Sequence, residues 1–273
     1  MIATAPAADL VDFKRYQREA WAAGDGGLIS ASHSLISEGL CEAADLRAGE
    51  RVLDVATGSG NTAIAAARRF CRVAGVDYVP GQLHRARERA RAEQFHIEFR
   101  QGDAEAIPYP NSAFDVVLSS FGSMFAVNQE EAALELLRVC RSGGRIGMVN
   151  WTPEGFAGRV LGTISRYVPL TYGLASPALW GTESRLSRLF GDGVAYLTAT
   201  RRSFVLRYRS AEHWLHLLRS FDGPTLTAFA SLDAMGQERL GADLLDLARG
   251  ANASTGTDLT IPAEYLLVVA VRA

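Results

Sequence analysis

The sequence is poor in the features that mark secreted, membrane-spanning and nucleic-acid-binding proteins. It contains three cysteines, Cys41, Cys71 and Cys140, which lie far apart and show neither a disulfide framework nor the spacing of metal ligands. No apolar stretch approaches the roughly 20 residues that a membrane-spanning helix needs. The formal net charge of −2 gives no electrostatic reason to expect a polyanionic partner. These absences predict a protein of the reducing cytoplasm that binds neither nucleic acid nor membrane.

Lysine is almost absent, because Lys14 is the only one in the chain and the other basic side chains are arginine or histidine. We interpret this as the compositional bias of a GC-rich bacterial genome and assign Lys14 no binding function. The first residues, MIATAPAADLVDF, contain no basic region followed by an apolar run, so we expect no secretion signal there. Hydrophobic residues make up 48% of the chain, which is ordinary for a globular protein with a full core.

The most informative stretch is RVLDVATGSGNT, residues 51–62. It is typical of a buried strand, then a tight turn with Gly58 and Gly60, then the beginning of a helix. Glycine lets the backbone bend sharply and lets a ligand approach, and the free N–H groups of the following helix face that ligand. Asp54 lies inside the strand, four residues before Gly58. By itself this is a general nucleotide-loop pattern, since the two glycines with Ala63 also fit a dinucleotide fingerprint.

Around this stretch, predicted strands and helices alternate. Apolar spacing predicts helices over residues 9–21, 30–44, 62–70, 80–93 and 129–141, and strands over residues 52–55, 71–76, 97–100, 114–119 and 145–150. Five strands separated by helices predict a parallel sheet covered on both faces. After Trp151 the alternation stops. Helical patterns follow at residues 157–167, 177–190, 211–220 and 231–249, and β-rich segments at 202–208 and 264–271.

Three features meet at the carboxyl ends of the first three strands, the edge where open α/β sheets bind ligands. The first is the glycine turn. The second is Asp77 at the end of the second strand, nineteen residues after Gly58. The third is Asp103, in the Gly-Asp-Ala sequence after the third strand. A carboxylate at Asp77 can accept hydrogen bonds from both hydroxyls of a ribose, and one at Asp103 can accept from an adenine amine.

With these residues in place, the chain resembles the class I S-adenosylmethionine-dependent methyltransferases, and among them the bacterial quinone C-methyltransferases and natural-product methyltransferases. The matching stretches are VLDVATGSGN, VAGVDYVPGQLHRARERA, GDAEAIPYPNSAFDVVLSSFGSMFA and LLRVCRSGGRIGMVNWTPEGF, over roughly residues 50–156. The resemblance implies an α/β, Rossmann-like seven-stranded sheet with flanking helices, antiparallel last strands and a helical cap. It implies one methyltransferase domain over residues 1–273, with N-terminal helices in 1–48 and a cap over the acceptor site in 152–262.

The cofactor implied by the resemblance is S-adenosyl-L-methionine. Its methionine moiety would lie on the backbone of residues 56–58, with Asp54 supporting the ammonium group. Asp77 would bind the ribose, Tyr78 would lie along the adenine, and Asp103 with the Ala104 N–H would contact the adenine edge. The predicted cofactor-binding residues are Asp54, Ala56, Thr57, Gly58, Gly60, Asp77, Tyr78, Asp103, Ala104, Ser119 and Ser120, the two serines lying beside the sulfonium.

Some of these residues have structural alternatives, and two positions depart from the family pattern. Asp54 would otherwise cap the loop, Asp77 would cap the next helix, and Tyr78 would pack on the surface. Ala56 and Thr57 stand where many relatives have Gly and Cys or Gly, although the quinone-type members tolerate Ala. Ser142 replaces the usual proline before the Gly-Gly turn, and we expect no consequence.

The acceptor side of the site is less defined. In-line methyl transfer depends on alignment of nucleophile, methyl and sulfur, which can supply roughly 7–11 kcal/mol of barrier reduction. A general base is required only when the nucleophile holds its proton. The candidate bases are His33, in a segment able to fold over the cofactor, and His213 and His216, which lie three residues apart on one predicted helix. The spacing of His213 and His216 could suit a metal, but no third ligand lies nearby, so we predict no metal site.

Aromatic residues and methionines are concentrated after the fourth and fifth strands and in the predicted cap. Half or more of them should belong to the core, and the rest would form an apolar pocket for a small hydrophobic acceptor. The candidate pocket residues are Phe121, Met124, Phe125, Trp151, Tyr172, Trp180 and Trp214.

The sequence therefore predicts a cytoplasmic methyltransferase that moves a methyl group from S-adenosylmethionine to an O, N or C atom of a small, largely apolar molecule of bacterial secondary metabolism. A nicotinamide-dependent oxidoreductase is disfavoured, because its fingerprint needs neither Asp54 nor the GDAEAIP segment. A non-methylating descendant that uses the fold for cyclisation or as a scaffold stays open. The sequence is equally compatible with a monomer and a homodimer.

Overall fold

The computed structural model describes residues 7–25, 27–169 and 174–273. The strands are β1 (Arg51–Val55), β2 (Arg72–Asp77), β3 (Glu98–Gln101), β4 (Phe114–Ser120), β5 (Cys140–Trp151), β6 (Val194–Tyr208) and β7 (Leu259–Arg272). The helices before β6 are α1 (Ala7–Ala23), α2 (Gly27–Ala31), α3 (Ser34–Ala43), α4 (Asn61–Ala67), α5 (Pro80–Ala92), α6 (Gln129–Val139), α7 (Phe156–Tyr167) and α8 (Glu183–Phe190). Those after β6 are α9 (Ala211–Phe221), α10 (Gly223–Ala230) and α11 (Ala234–Gly250). Among the described helices, none has the length and apolar character needed to cross a bilayer.

The seven strands form one sheet in the order β3-β2-β1-β4-β5-β7-β6. The first five strands are parallel, and β7 runs antiparallel to both of its neighbours, β5 and β6. This confirms the predicted fold class, including the antiparallel late strands. Because the chain places β2 and β3 on one side of β1 and β4 on the other, the strand order reverses at β1. A crevice at the carboxyl ends of the strands is expected at such a reversal.

The central strands are apolar on both faces, which is why helices cover the sheet on both sides. Val52 and Leu53 of β1 and Val116 and Val117 of β4 are fully buried. On one face, the alanine-rich helix α4 buries nearly all of its residues against the sheet. Small side chains on that helix let it lie close to β1. This close packing positions the N-terminus of α4 beside the glycine turn.

Several predicted boundaries are wrong, for local reasons. The helix predicted over residues 30–44 is two helices, because the chain turns at His33, whose backbone φ and ψ are −97° and 6°. The helix predicted over 129–141 ends at Val139, and the Gly143-Gly144 pair lies inside β5. Gly143 has φ +67°, and a Cβ on Gly144 would lie 2.8 Å from the carbonyl oxygen of Asp115, so both glycines are required by an irregularity in the strand.

The later helices also differ from the prediction. Residues 177–190 form a short 3₁₀ turn followed by α8, and α10 was not predicted at all. Asp222 caps α10 by accepting the Thr225 N–H at 3.1 Å, and Asp233 caps α11 by accepting the Gly236 N–H at 2.7 Å. These two caps begin two separate helices, α10 and α11. Apolar spacing alone had predicted no helix between residues 220 and 231.

The N-terminal helices pack on the helices that follow β6. Helix α1 lies against α10, and α2 lies against α9. The α1–α10 contact is made by backbone: a Cβ on Gly24 would lie 2.4 Å from the Gly223 nitrogen, and one on Gly223 would lie 2.1 Å from the Ala20 carbonyl oxygen. Gly24 and Gly223 therefore allow α1 and α10 to pack closely against each other.

Candidate active site

The turn after β1 adopts a backbone conformation that glycine favours. Gly58 has φ +53° and Gly60 has φ +88°, while Ala56 adopts φ +54° although it carries a Cβ. A Cβ on Gly60 would lie 3.1 Å from the Cβ of Ala86, so glycine also lets α5 approach. The Thr57 N–H donates to the Val76 carbonyl at 2.9 Å, which ties the turn to the end of β2. We call residues 56–60 the glycine loop.

Asp54 holds the glycine loop and the first turn of α4 together. Its Oδ2 accepts hydrogen bonds from Thr57 Oγ1 at 2.6 Å and from the Ala63 N–H at 3.0 Å. Its other oxygen, Oδ1, is buried and has no partner among the described residues. Burial raises the pKa of Asp54 to about 7, against the opposing effect of the two hydrogen bonds. A buried carboxylate with one free oxygen fits a site that receives a cationic group.

Asp77, at the end of β2, also holds the glycine loop. Its Oδ2 accepts the Gly58 N–H at 2.8 Å and its Oδ1 accepts the Val79 N–H at 2.9 Å. Burial raises the pKa of Asp77, and the backbone hydrogen bonds oppose that rise. Each carboxylate oxygen has a second lone pair, so these bonds leave acceptor capacity for hydroxyl donors. Asp77 therefore binds both the glycine loop and the residue that directly precedes α5.

The loop after β3 is acidic and is fixed by several hydrogen bonds. The Gly102 N–H donates to the Asp77 carbonyl at 3.1 Å, which joins the ends of β2 and β3. Asp103 Oδ1 accepts the Glu105 N–H at 2.9 Å. Lys14, to which no binding function was assigned from the sequence, lies 2.6 Å from Asp103 Oδ2 and 2.6 Å from Glu105 Oε2. Ala104, between the two carboxylates, is half-buried.

Tyr78 and the serines at the end of β4 contact protein groups. The Tyr78 hydroxyl donates to Gln17 Oε1 at 3.4 Å, and burial raises the pKa of Tyr78. Ser119 Oγ donates to the Val55 carbonyl at 2.9 Å and accepts from the Ser123 N–H at 2.9 Å. Ser120 is half-buried. Ser119 thus links the ends of β1 and β4, beside the glycine loop.

Sequence analysis missed Gly122, which brings the loop after β4 against the glycine loop. A Cβ on Gly122 would lie 2.5 Å from the Ala56 Cβ and 2.8 Å from the Ala56 carbonyl oxygen. Only a glycine allows this approach, and the pairing of Gly122 with Ala56 has no signal in either local sequence.

The three candidate histidines lie in two different places. The ring of His33 lies 5.6 Å from that of Trp151, and burial lowers the pKa of His33 to about 4. His213 and His216 lie on α9, where His213 Nδ1 accepts the Arg209 N–H at 3.3 Å and His216 is exposed. Of the three, His33 is the one that the structure brings to the carboxyl edge of β5. Within the described part of the chain, no group of three His, Cys, Asp or Glu side chains could hold a metal.

His33 is part of an aromatic cluster that includes two residues sequence analysis missed. Phe121 stacks on Trp151 with ring centroids 3.9 Å apart, and Tyr265 meets both rings edge-on at 6.1 and 6.5 Å. Phe204 lies 6.3 Å from His33. We call His33, Phe121, Trp151, Phe204 and Tyr265 the aromatic cluster. Phe204 and Tyr265 come from β6 and β7, and only the antiparallel pairing of those strands brings them here.

The other predicted pocket residues are placed elsewhere. Phe125 packs edge-on against Trp21 at 5.1 Å. Met124 and Trp180 are fully buried in the core, and Trp214 is buried against Phe156. Tyr172 lies outside the described residues.

Sequence comparisons identify a methyltransferase domain in this chain. The family model of a methyltransferase domain matches residues 52–144. An uncharacterized protein of Mycobacterium tuberculosis is 38% identical over 258 residues, which cover 93% of this chain and 93% of that protein. Demethylmenaquinone methyltransferase of Thermus thermophilus is 34% identical over 165 residues, 54% of this chain and 75% of that enzyme.

A solved structure has the same fold. It is geranyl diphosphate C-methyltransferase from Streptomyces coelicolor in complex with Mg²⁺, geranyl diphosphate and S-adenosyl-L-homocysteine. The TM-score is 0.53 at 20% identity, covering 88% of this chain and 77% of that chain. At this identity, the likeness establishes the fold alone.

Proposed function

Because the chain belongs to the family of S-adenosylmethionine-dependent methyltransferases, we propose that it transfers the methyl group of S-adenosyl-L-methionine to an O, N or C atom of a small, largely apolar molecule. When bound, S-adenosylmethionine supplies the electrophilic methyl group. The contribution of the chain is to hold the cofactor, to align the acceptor and to exclude water. We place this reaction in bacterial secondary metabolism, and in the cytoplasm because the three cysteines form no disulfide.

The observation that carries the proposal is the pair of buried carboxylates on neighbouring strands, Asp54 and Asp77, both bonded to the glycine loop. The unpartnered Oδ1 of Asp54 is suited to the ammonium group of the cofactor, since an ionic partner would offset the cost of burying that oxygen. Asp77 would accept the ribose hydroxyls with its remaining lone pairs. Asp103 and the Ala104 N–H would contact the adenine edge, and Tyr78 would lie along the ring.

Other residues would complete the cofactor site. We assign the methionine moiety to the backbone of Ala56, Thr57 and Gly58, with Gly60 allowing the turn. Ser119 and Ser120 would lie beside the sulfonium at the end of β4. Because Ser119 already bonds to Val55 and Ser123, its role would be to fix the two strand ends against each other.

The aromatic cluster is our candidate for the acceptor side. Two of its rings, Phe121 and Trp151, lie at the carboxyl ends of β4 and β5, and Phe121 directly precedes Gly122, which lies against the glycine loop. Apolar rings would favour an apolar acceptor and keep water out. Burial lowers the pKa of His33 to about 4, so its imidazole is unprotonated at pH 7, as a general base must be, and is a weaker base than a free imidazole. The helices of residues 1–48 and 152–262 would cover this side in a single domain.

Two measurements test the proposal. Titration calorimetry with S-adenosylhomocysteine should give saturable binding, and methyl-labelled cofactor incubated with a panel of small phenols, amines and quinols should label one of these classes. The absence of S-adenosylhomocysteine binding would remove the proposed function. Thermal shifts with NADH in parallel test the oxidoreductase alternative, since a ligand at a hundred times its Kd stabilises by about 2.7 kcal/mol.

A further inference from the structure

Lys14 makes two short ion pairs at the edge of the sheet. Its Nζ lies 2.6 Å from Asp103 Oδ2 and 2.6 Å from Glu105 Oε2. The side chains of Lys14 and Asp103 are about one-third exposed, whereas that of Glu105 is 11% exposed. The other ion pairs among the described residues are made by arginine, apart from one contact made by His84. The only lysine of the sequence is thus placed between two carboxylates of the loop that follows β3.

Lysine suits this position because a compact ammonium with three donors can serve two carboxylates at once, whereas the planar guanidinium of arginine favours one in a bidentate contact. Burial by itself would lower the pKa of Lys14, but its hydrogen bonds to Asp103 and Glu105 outweigh burial and raise it, so the ammonium stays charged. Without this cation, the two carboxylates would repel each other across Ala104.

Both carboxylates are held in one orientation by the combination of Lys14 and backbone donors. Asp103 receives the Glu105 N–H on Oδ1 and the ammonium on Oδ2. Glu105 receives the Asn128 N–H on Oε1 at 2.9 Å and the ammonium on Oε2. Lys14 therefore fixes the rotamer of Asp103, the residue placed at the adenine edge under the proposed function.

The face of α1 that carries Lys14 makes further contacts to the same edge. Gln17 Nε2 donates to the Phe125 carbonyl at 2.9 Å, and Gln17 Oε1 accepts from the Tyr78 hydroxyl. Trp21 packs edge-on against Phe125. Positions 14, 17 and 21 repeat at helical spacing, so one stripe of α1 lies across the loops after β2, β3 and β4. The neighbouring Arg15 points away, with a side chain that is 61% exposed.

We propose that Lys14 is a positioning residue that orients Asp103 for adenine recognition and fastens α1 across the cofactor site. This inference rests on the proposed function. It goes beyond it by assigning adenine specificity to a residue outside the matched methyltransferase domain. Because coupling between two sites is reciprocal, an occupied cofactor site should hold Lys14 in its ion pairs, and loss of Lys14 should weaken cofactor binding.

The uniqueness of this lysine makes the contact directly measurable. The full chain is acetylated with an amine-selective reagent, and modification of Lys14 is followed by mass spectrometry against a lysine-containing reference peptide in the same tube. S-adenosylhomocysteine should slow acetylation of Lys14 and leave the reference unchanged. Glu105→Gln should accelerate it. If calorimetry detects binding of S-adenosylhomocysteine and the rate does not change, the fastening of α1 is refuted.

Variants test the positioning role. Lys14→Met should weaken S-adenosylhomocysteine binding about tenfold, the size expected for charge-assisted bonds that are partly exposed. Lys14→Arg should recover part of that loss, because it restores the charge. Arg15→Met removes a cation from the exposed face of the same helix and should leave the Kd unchanged.

A specificity measurement separates positioning from a general structural effect. S-inosylhomocysteine lacks the adenine amine, so the wild-type protein should bind it more weakly than S-adenosylhomocysteine. In Lys14→Met the ratio of the two Kd values should approach one. Equal weakening of both ligands, or no weakening, would overturn the positioning role. If the wild-type protein binds neither ligand, the proposed function fails, and the role of Lys14 fails with it.

Discussion

The carboxylate of Asp77 accepts a hydrogen bond from the backbone N–H of Gly58 at 2.8 Å, which joins the end of β2 to the glycine loop of β1. Asp77 ends β2 and Gly58 lies in the loop that follows β1, and the parallel pairing of β1 with β2 brings the two residues together. One side chain therefore both shapes the loop and presents its remaining lone pairs to a ligand at that edge.

Asp77→Ala should abolish detectable binding of S-adenosylhomocysteine in calorimetry, because it removes the acceptor proposed for the ribose. It also leaves the Gly58 and Val79 N–H groups without a side-chain acceptor, so a loss of about 1–3 kcal/mol in the free energy of unfolding is expected. Asp77→Asn, which keeps the shape and one acceptor, is the control and should retain weak binding. Unchanged affinity in Asp77→Ala would contradict the proposed site.

Asp54 should make the protein less stable as the pH rises towards 7. Burial raises its pKa from 3.8 to about 7, so the folded state binds a proton that the unfolded state has released. Stability from this group is complete below about pH 4 and declines up to pH 7, by roughly 4 kcal/mol at most. Asp54→Asn removes this decline. In urea unfolding, the free energy of unfolding of the variant relative to the wild type should therefore increase between pH 5 and pH 8.

Asp115→Asn is the matched control for that measurement. Burial would raise the pKa of Asp115, but bonds from the Arg51 N–H and the Arg141 side chain outweigh it and lower the pKa to about 2. Stability from Asp115 is therefore present above about pH 4 and lost only as the pH falls towards 2. The difference between Asp115→Asn and the wild type should be the same at pH 5 and pH 8. An equally flat difference for Asp54→Asn would show that Asp54 is ionised in the folded protein.

His33→Phe should lower the methyl-transfer rate by about 10²–10⁴-fold if His33 is the general base, with cofactor affinity preserved because phenylalanine keeps the ring contacts. The wild-type rate should not fall near pH 6.5, since burial lowers the pKa of His33 to about 4. Labelled-methyl transfer measured across pH tests both points. His213→Gln and His216→Gln, on α9, should be silent, and a rate in His33→Phe equal to that of the wild type would exclude the base.

Gly122→Ala should disturb the glycine loop. The added Cβ would meet the Cβ and the carbonyl oxygen of Ala56, and backbone cannot yield as a flexible side chain does. We expect a loss of about 1–3 kcal/mol in stability and weaker S-adenosylhomocysteine binding. Gly162→Ala on α7 meets no atom within 4 Å and should be neutral or stabilising by about 0.5–1 kcal/mol. Similar melting temperatures for both variants would show that the Gly122 contact is not needed.

The sequence by itself determined the sheet and the approximate positions of its chemistry. Strands β1 and β4 are runs of apolar residues, Gly58 and Gly60 mark a turn, and Asp77 ends a strand. Each of these signals is local, because a strand period, a left-handed turn and a strand end involve residues that are neighbours in the chain. Parallel pairing then gathers the strand ends on one edge. Helix boundaries were less accurate, because side-chain caps such as Asp222 and the turn at His33 decide them.

Only the tertiary structure decided which distant residues meet at that edge. The sequence pattern was interpreted as a compositional bias that left Lys14 without a binding function, yet Lys14 contacts Asp103 and Glu105, about ninety residues further along the chain. His33 likewise contacts Phe204, which lies on β6, the edge strand at the other end of the sheet from β3. Such contacts depend on how helices cross and how strands pair. Those relations arise from packing over the whole chain, and no periodicity within a short window encodes them.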